Sequence, residues 1–199
     1  MDMDFHIDLI YQEPIITPNV VDEFKKYIQS SGLKVLVKPA STMSAKAAFG
    51  WLVPTAIVAY IAKPYIESFL SEMGREHYAV LKGSLKKLWA YIDKQYGARA
   101  ELSGPKSKPA GRPYAFSPVF SIEAQSPFGY RIKLLVQSDM QPEQFGQAIE
   151  AFLSFLTESC DTEALCEEGV LLLNNNYNGS VLPVCFDPVS GGLECVRVH

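Results

Sequence analysis

The amino-acid sequence predicts an α+β fold: a mixed β-sheet of about six or seven strands, with an N-terminal βαβ unit, a helical insertion over residues 44–96 and a C-terminal β-meander. Two periodicities carry that expectation. Apolar and polar residues alternate near the N-terminus and again beyond residue 115, as in half-buried strands. Elsewhere apolar residues recur every three or four positions, as on one face of a helix. The third observation is the supply of core: 48% of the 199 residues are hydrophobic, 12% aromatic and only 20% charged. That composition offsets ordering entropy, so the chain is not a disordered one. A chain of this size buries roughly 70% of its extended surface without disulfide or metal staples. One domain over residues 1–199 follows.

Taken in order, Phe5, Ile7 and Leu9 alternate with His6 and Asp8 and give a strand over about 4–11. Thr17-Pro18 then supplies an N-cap and a proline at the first helical position. Val20, Val21, Phe24, Tyr27 and Ile28 form an apolar stripe that Gly32 ends. Leu33–Val37 is the second strand, which closes a parallel βαβ unit, right-handed by default. Residues 44–96 read as three helical stretches. The first, about 44–62, is apolar on every side. The second begins near Pro64, turns Tyr65, Ile66, Phe69, Leu70 and Met73 inward, and breaks at Gly74. The third, from about Arg75 to Tyr96, carries Tyr78, Leu81, Leu85, Leu88, Trp89 and Ile92 on one side and Lys82, Lys86 and Lys94 on the other.

Residues 97–114 are rich in Gly, Pro, Ser and Lys and read as a loop or linker between halves 1–96 and 115–199. Ala115–Gln125 and Tyr130–Gln137 then form a hairpin around Ser126-Pro127-Phe128-Gly129. Ser138 or Asp139 caps a helix bearing Phe145, Ile149, Phe152, Leu153 and Leu156. Val170–Leu173, Val181–Phe186 and Leu193–Val198 make the meander, with turns at Asn174–Gly179 and Asp187–Gly192. Asn178-Gly179 is read as a turn pair that accepts positive φ. No internal repeat is visible.

The net charge of −4 argues against nucleic acid as the principal partner, because phosphate neutralisation needs a basic excess. Charge is unevenly spread. Residues 63–112 hold ten Lys or Arg against five Asp or Glu, whereas 139–168 hold eight acids and no base. The plainer reading is two solvated helix faces that attract one another; the other is a partner signal. The acidic N-terminus, Met1-Asp2-Met3-Asp4, is unlike a secretory signal. A cytoplasmic, reducing setting is therefore expected, with Cys160, Cys166, Cys185 and Cys195 as free thiols that form no C-x-x-C pair. A bridge between Cys185 and Cys195 across a hairpin is the alternative.

Candidates for chemistry are few. Alternation puts Asp4, His6 and Asp8 on one strand face, roughly 6.5 to 7 Å apart, where carboxylates and an imidazole suit a divalent metal. A solvated polar face on an edge strand predicts the same pattern. His77 borders the apolar stripe of its helix; with Asp8 it is the candidate for acid–base work, and a hydrogen-bonded boundary histidine is the plainer role. His199 is terminal. Ser84-Leu85-Lys86-Lys87 and Ser103-Gly104-Pro105-Lys106 match S-x-x-K without its companion motifs. No nucleophile elbow, phosphate-binding lysine loop or dinucleotide fingerprint occurs, so no cofactor is expected. Lys106, Lys108, Arg112 and Tyr114 offer a phosphate contact but no stacking platform.

The apolar segment Ala47–Ala62 contains no charge, and Thr55 is its one clearly polar side chain. As a helix it would be buried on every side and bent at Pro54. It spans about 24 Å, short of a bilayer core of roughly 30 Å. A central core helix is the first reading. A membrane-associated helix over 47–70 and an exposed helix docking on a partner or second copy are the others. For function, the missing catalytic motifs and opposed charge segments point to a soluble, non-catalytic binding or complex-subunit protein acting through protein–protein contacts. The alternatives are a membrane-associated protein, and an enzyme whose site, around Asp4, His6, Asp8 and His77, assembles only in three dimensions.

Overall fold

The computed structural model describes residues 6–12, 16, 18–30, 34–39, 55–61, 74–94, 115–125, 131–158 and 181–196. The elements are β1 (His6–Tyr11), α1 (Pro18–Ser30), β2 (Lys34–Pro39), β3 (Ile57–Ile61), α2 (Gly74–Ile92), β4 (Phe116–Gln125), β5 (Arg131–Gln137), α3 (Pro142–Glu158), β6 (Val181–Asp187) and β7 (Gly192–Cys195). They form a mixed seven-stranded sheet in the order β2-β1-β3-β4-β5-β6-β7 with three helices, an α+β architecture.

Parallel and antiparallel pairings alternate strictly across the sheet. β1–β2, β3–β4 and β5–β6 are parallel; β1–β3, β4–β5 and β6–β7 are antiparallel. Among the described residues each parallel pair has one helix in its connection, so the elements read as three βαβ units side by side, closed by β7. This repetition is topological, and the sequence carries no matching repeat. All three helices cover one face of the sheet. Leu85, Trp89, Phe145 and Phe152 share a buried core with Leu9, Ile61, Phe120, Ile122, Leu134 and Val184. At its centre Trp89 lies 5.1 Å from Phe145 and 6.1 Å from Phe120, ring to ring, in tilted arrangements that aromatic quadrupoles favour. The first two crossovers share one hand, since both strand direction and step direction reverse between them. β5 runs like β1 but steps across the sheet the other way.

One expectation is corrected outright. Residues 57–61 are not the end of an apolar helix but a strand, β3, third in the sheet. Ile57, Ala59 and Ile61 are fully buried beneath the helices. Three β-branched residues and a tyrosine in five positions suit a pleated surface. An apolar run without a polar face is also the signature of a buried internal strand. Residues 47–54 and Ala62 lie outside the described residues, as do the helical stretch expected over 64–73, the linker 97–114 and the meander strand 170–173. No helix among the described residues is long and apolar enough to cross a membrane.

A second correction concerns β1. It is no solvated edge, because β2 and β3 flank it, and Asp8 is only 8% exposed. A third concerns the cap of α3. Gln141 precedes Pro142, its backbone N–H donates to Gln144 Oε1 at 3.0 Å, and its carbonyl accepts from the Phe145 N–H at 2.9 Å. That is half a capping box with proline at the first helical position. Ser138 and Asp139 instead form the turn before it.

Candidate functional site

The helix pair α2–α3 is joined by a polar ladder whose spacing follows from the helical repeat. Tyr78, Lys82 and Lys86 recur every four residues on α2; Gly146, Glu150 and Ser154 do so on α3. Run antiparallel, the two rows meet in register. Tyr78 shares a side-chain hydrogen bond with Ser154, and Lys82 Nζ contacts Glu150 Oε2 at 2.7 Å. Lys86 lies over Gly146, its Nζ 2.8 Å from where a Cβ would stand. Burial raises the Tyr78 hydroxyl above its ordinary pKa, with the Glu150 charge adding to the effect. Part of the charge asymmetry between the two halves is thus settled inside the molecule.

The far flank of the same α3 row opens into a groove of about 410 Å³, lined by Gln147, Glu150, Ala151, Ser154, Phe186, Pro188 and Gly191. That volume falls within the usual range for ligand clefts. Its helical wall bears the polar groups; its other wall is the end of β6 and the β6–β7 turn. The turn is held by its own backbone. Asp187 accepts hydrogen bonds from the amides of Val189 at 3.0 Å and Ser190 at 2.9 Å. Its carbonyl takes the Gly191 N–H at 2.9 Å, and Ser190 Oγ takes the Gly192 N–H at 3.2 Å. Gly191 adopts φ +71°, where a Cβ is disfavoured. The amides of Val189 and Ser190 hold the Asp187 carboxyl below its ordinary pKa. At the tip Val189 stands 93% exposed, a large apolar side chain on a fixed support.

The opposite face of the sheet carries a different constellation. Asp8, Tyr60, Glu123 and Lys133 are direct neighbours on β1, β3, β4 and β5, one continuous row of ionisable side chains. Lys38 Nζ meets Asp8 Oδ2 at 2.7 Å. Arg131 Nη2 approaches Glu123 Oε1 to 2.5 Å as an ion pair without hydrogen-bond alignment, and the Tyr60 hydroxyl donates to Gln125 Oε1 at 3.2 Å. Burial pushes the Lys133 amine below, and the Tyr60 hydroxyl above, their ordinary values. Glu123 and Lys133 are each 6% exposed. Next to the row, Thr55 and Ser121 share a buried hydrogen bond of 2.7 Å. Asp8, Glu123 and Lys133 of the row are buried and Tyr60 is half-buried, whereas the groove is open to solvent.

The residues singled out from the sequence are scattered across these parts. Asp4 lies outside the described residues. His6 begins β1, opposite Lys34 on β2. Asp8 belongs to the ionisable row, on the face away from the helices, whereas His77 sits in the first turn of α2, within the helical layer. Among the described residues no three His, Cys, Asp or Glu groups are placed to hold a metal ion. Ser84 is buried and donates to the Val80 carbonyl at 2.6 Å, so its hydroxyl serves its own helix. Cys185 and Cys195 form no disulfide. Cys185 pairs with Glu194 and Cys195 with Val184, a one-residue offset that turns the two side chains to opposite faces. The groove residues Gln147, Glu150 and Ser154 read in the sequence only as an outward helix face. The turn at Asp187–Gly192 was the one legible part of the site. The chain matches no protein-family model and finds no match among curated proteins or solved structures.

Proposed function

We propose that the chain is a non-catalytic binding protein, a subunit or partner within a cytoplasmic complex, and that the groove between α3 and the β6–β7 turn makes the contact with the other protein. The observation that carries this reading is the fixing of both walls before any partner arrives. Lys82 and Tyr78 hold the polar groups of one wall from behind, and the Asp187 hydrogen bonds hold the other. Immobilising a flexible side chain at an interface costs about 0.5–1.5 kcal/mol, and a fixed wall avoids that cost. Val189 brings apolar surface to such a contact, worth about 1.5 kcal/mol if fully covered.

Affinity capture with the full chain tests the reading. Proteins retained by the wild type should be lost with Ala151→Arg, which fills the groove, and weakened with Val189→Asp. Both variants should keep the wild-type circular dichroism and melting temperature. If the retained set is unchanged in both, the groove is not the contact surface.

A further inference from the structure

Resting on the reading of the groove as a protein-contact surface, we infer that its occupant is a basic peptide segment of the partner, which sets a Lys or Arg on Glu150 and an aliphatic side chain over Ala151, Phe186 and Pro188. Both walls come from one stretch of unusual charge. Residues 139–196 contain ten Asp or Glu and no Lys, Arg or His. The described lining of the groove has one carboxylate and no cation. Lys82 engages the Glu150 carboxylate through Oε2, from the α2 side, and the Glu150 side chain, which lines the groove, is still 56% exposed. An incoming cation therefore meets a carboxylate whose Oε2 is already paired with Lys82 of α2 and must share it through the exposed remainder; α3 and the β6–β7 hairpin add no further cation. Gln147 and Ser154 add hydrogen-bonding groups along the same helical wall. The apolar floor and the one carboxylate beside it together select a segment that is both basic and aliphatic. A purely polyanionic partner such as nucleic acid meets the wrong sign of charge.

Fluorescence anisotropy on the full chain decides the matter, using three fluorescein-labelled decapeptides in which a pair of Leu is surrounded by Lys, by Gln or by Glu. The Lys peptide should bind roughly tenfold tighter than the Gln peptide, with the Glu peptide weakest, and the preference should shrink as salt screens it. Glu150→Gln and Gln147→Lys should each weaken the Lys peptide about threefold, in the range of an exposed ion pair. Ala151→Arg should abolish binding of all three. Equal binding of the Lys and Gln peptides, both lost in Ala151→Arg, overturns the charge assignment while leaving the groove as a contact surface. Absence of binding by every peptide, or binding that survives Ala151→Arg, also overturns it, and the capture experiment then judges the surface separately. Concentration-dependent sedimentation abolished by Gln147→Lys would show a second copy as the occupant, and that too overturns the inference.

Discussion

At the scale of single residues, the β6–β7 turn concentrates several constraints in few positions. Asp187 caps two amides with one carboxylate, so its folded form prefers to be ionised and its pKa lies below the ordinary value. A group shifted down in the folded state adds stability above its unfolded pKa, near 3.9, and loses it as pH falls through the folded value. Asp187→Ala should therefore lower the urea midpoint at pH 7. The gap from wild type should close in strong acid, and equal gaps at pH 7 and pH 2 would contradict the cap. Gly191 is a second test of the same turn. Nothing lies within 4 Å of a Cβ built there, so the penalty of Gly191→Ala is purely that of a left-handed backbone. It should cost about 1 kcal/mol in a denaturation curve, with Asn tolerated better. Asp-Pro and Gly-Gly punctuate this turn in the sequence, and for that reason it was readable there. The exposure of Val189 was not, because apolar character says nothing about which side of a turn faces water.

At the scale of elements, the reading from sequence held where one face alone is buried. α1, α2 and α3 each place an apolar stripe on the sheet and a polar stripe outside, and β4 and β5 pair antiparallel as the sequence predicts. It broke down at β3. Ile57, Ala59 and Ile61 lie under the helices while Val58 and Tyr60 lie on the other face, so both positions of the period-2 pattern are apolar or aromatic and no alternation appears. Apolar runs of this length need a second signal, here the β-branching, to separate strand from helix. Hydrogen exchange should place the amides of β3 among the slowest in the chain, and Ile61→Ala should cost about 2–4 kcal/mol. Fast exchange over Ile57–Ile61 would contradict an internal strand. The α2–α3 ladder shows the other limit. Glu150 meets Lys82 across 68 residues of sequence, a separation at which local spacing has no say. Gly146, inside α3 and beneath Lys86, offers a direct test. The contacting atoms are the far end of a flexible side chain, so Gly146→Ala should raise stability by up to about 1 kcal/mol through helix propensity, measured by urea unfolding. A loss instead would show that Lys86 cannot move aside.

At the scale of the whole molecule, three βαβ units laid side by side give the sheet two unlike faces. One is covered by the helices and is wholly apolar along its centre. The other carries a line of charge from Lys38 through Asp8, Tyr60 and Glu123 to Lys133 and Arg131. The line runs over five strands, β2, β1, β3, β4 and β5, and its buried members Asp8, Glu123 and Lys133 alternate with apolar residues that look inward. In the sequence Asp8 reads as a polar position on a strand face and Tyr60 as part of an apolar helix, and only the register of the strands makes them neighbours. Lys133 is the member for which burial is costly, because desolvation holds its amine below the ordinary value even beside Glu123. The sign of the consequence is the reverse of that for Asp187. Below its folded pKa, Lys133 is protonated in both states and its burial weakens the fold. As pH rises from that value towards the unfolded value near 10.4, the folded amine is neutral while the unfolded chain still binds the proton, so stability increases. Lys133→Met keeps the length and volume and removes the proton. Glu123 keeps its Arg131 partner in that variant, so no carboxylate is stranded. Wild type should therefore gain on Lys133→Met in urea midpoint as pH is raised from neutrality towards 10, before tyrosine ionisation intervenes. Glu123→Leu, which leaves Lys133 and Arg131 facing one another, should instead cost about 3–5 kcal/mol. A constant difference between wild type and Lys133→Met across that pH range would show that the amine carries no burial penalty, and that the charged row is solvated after all.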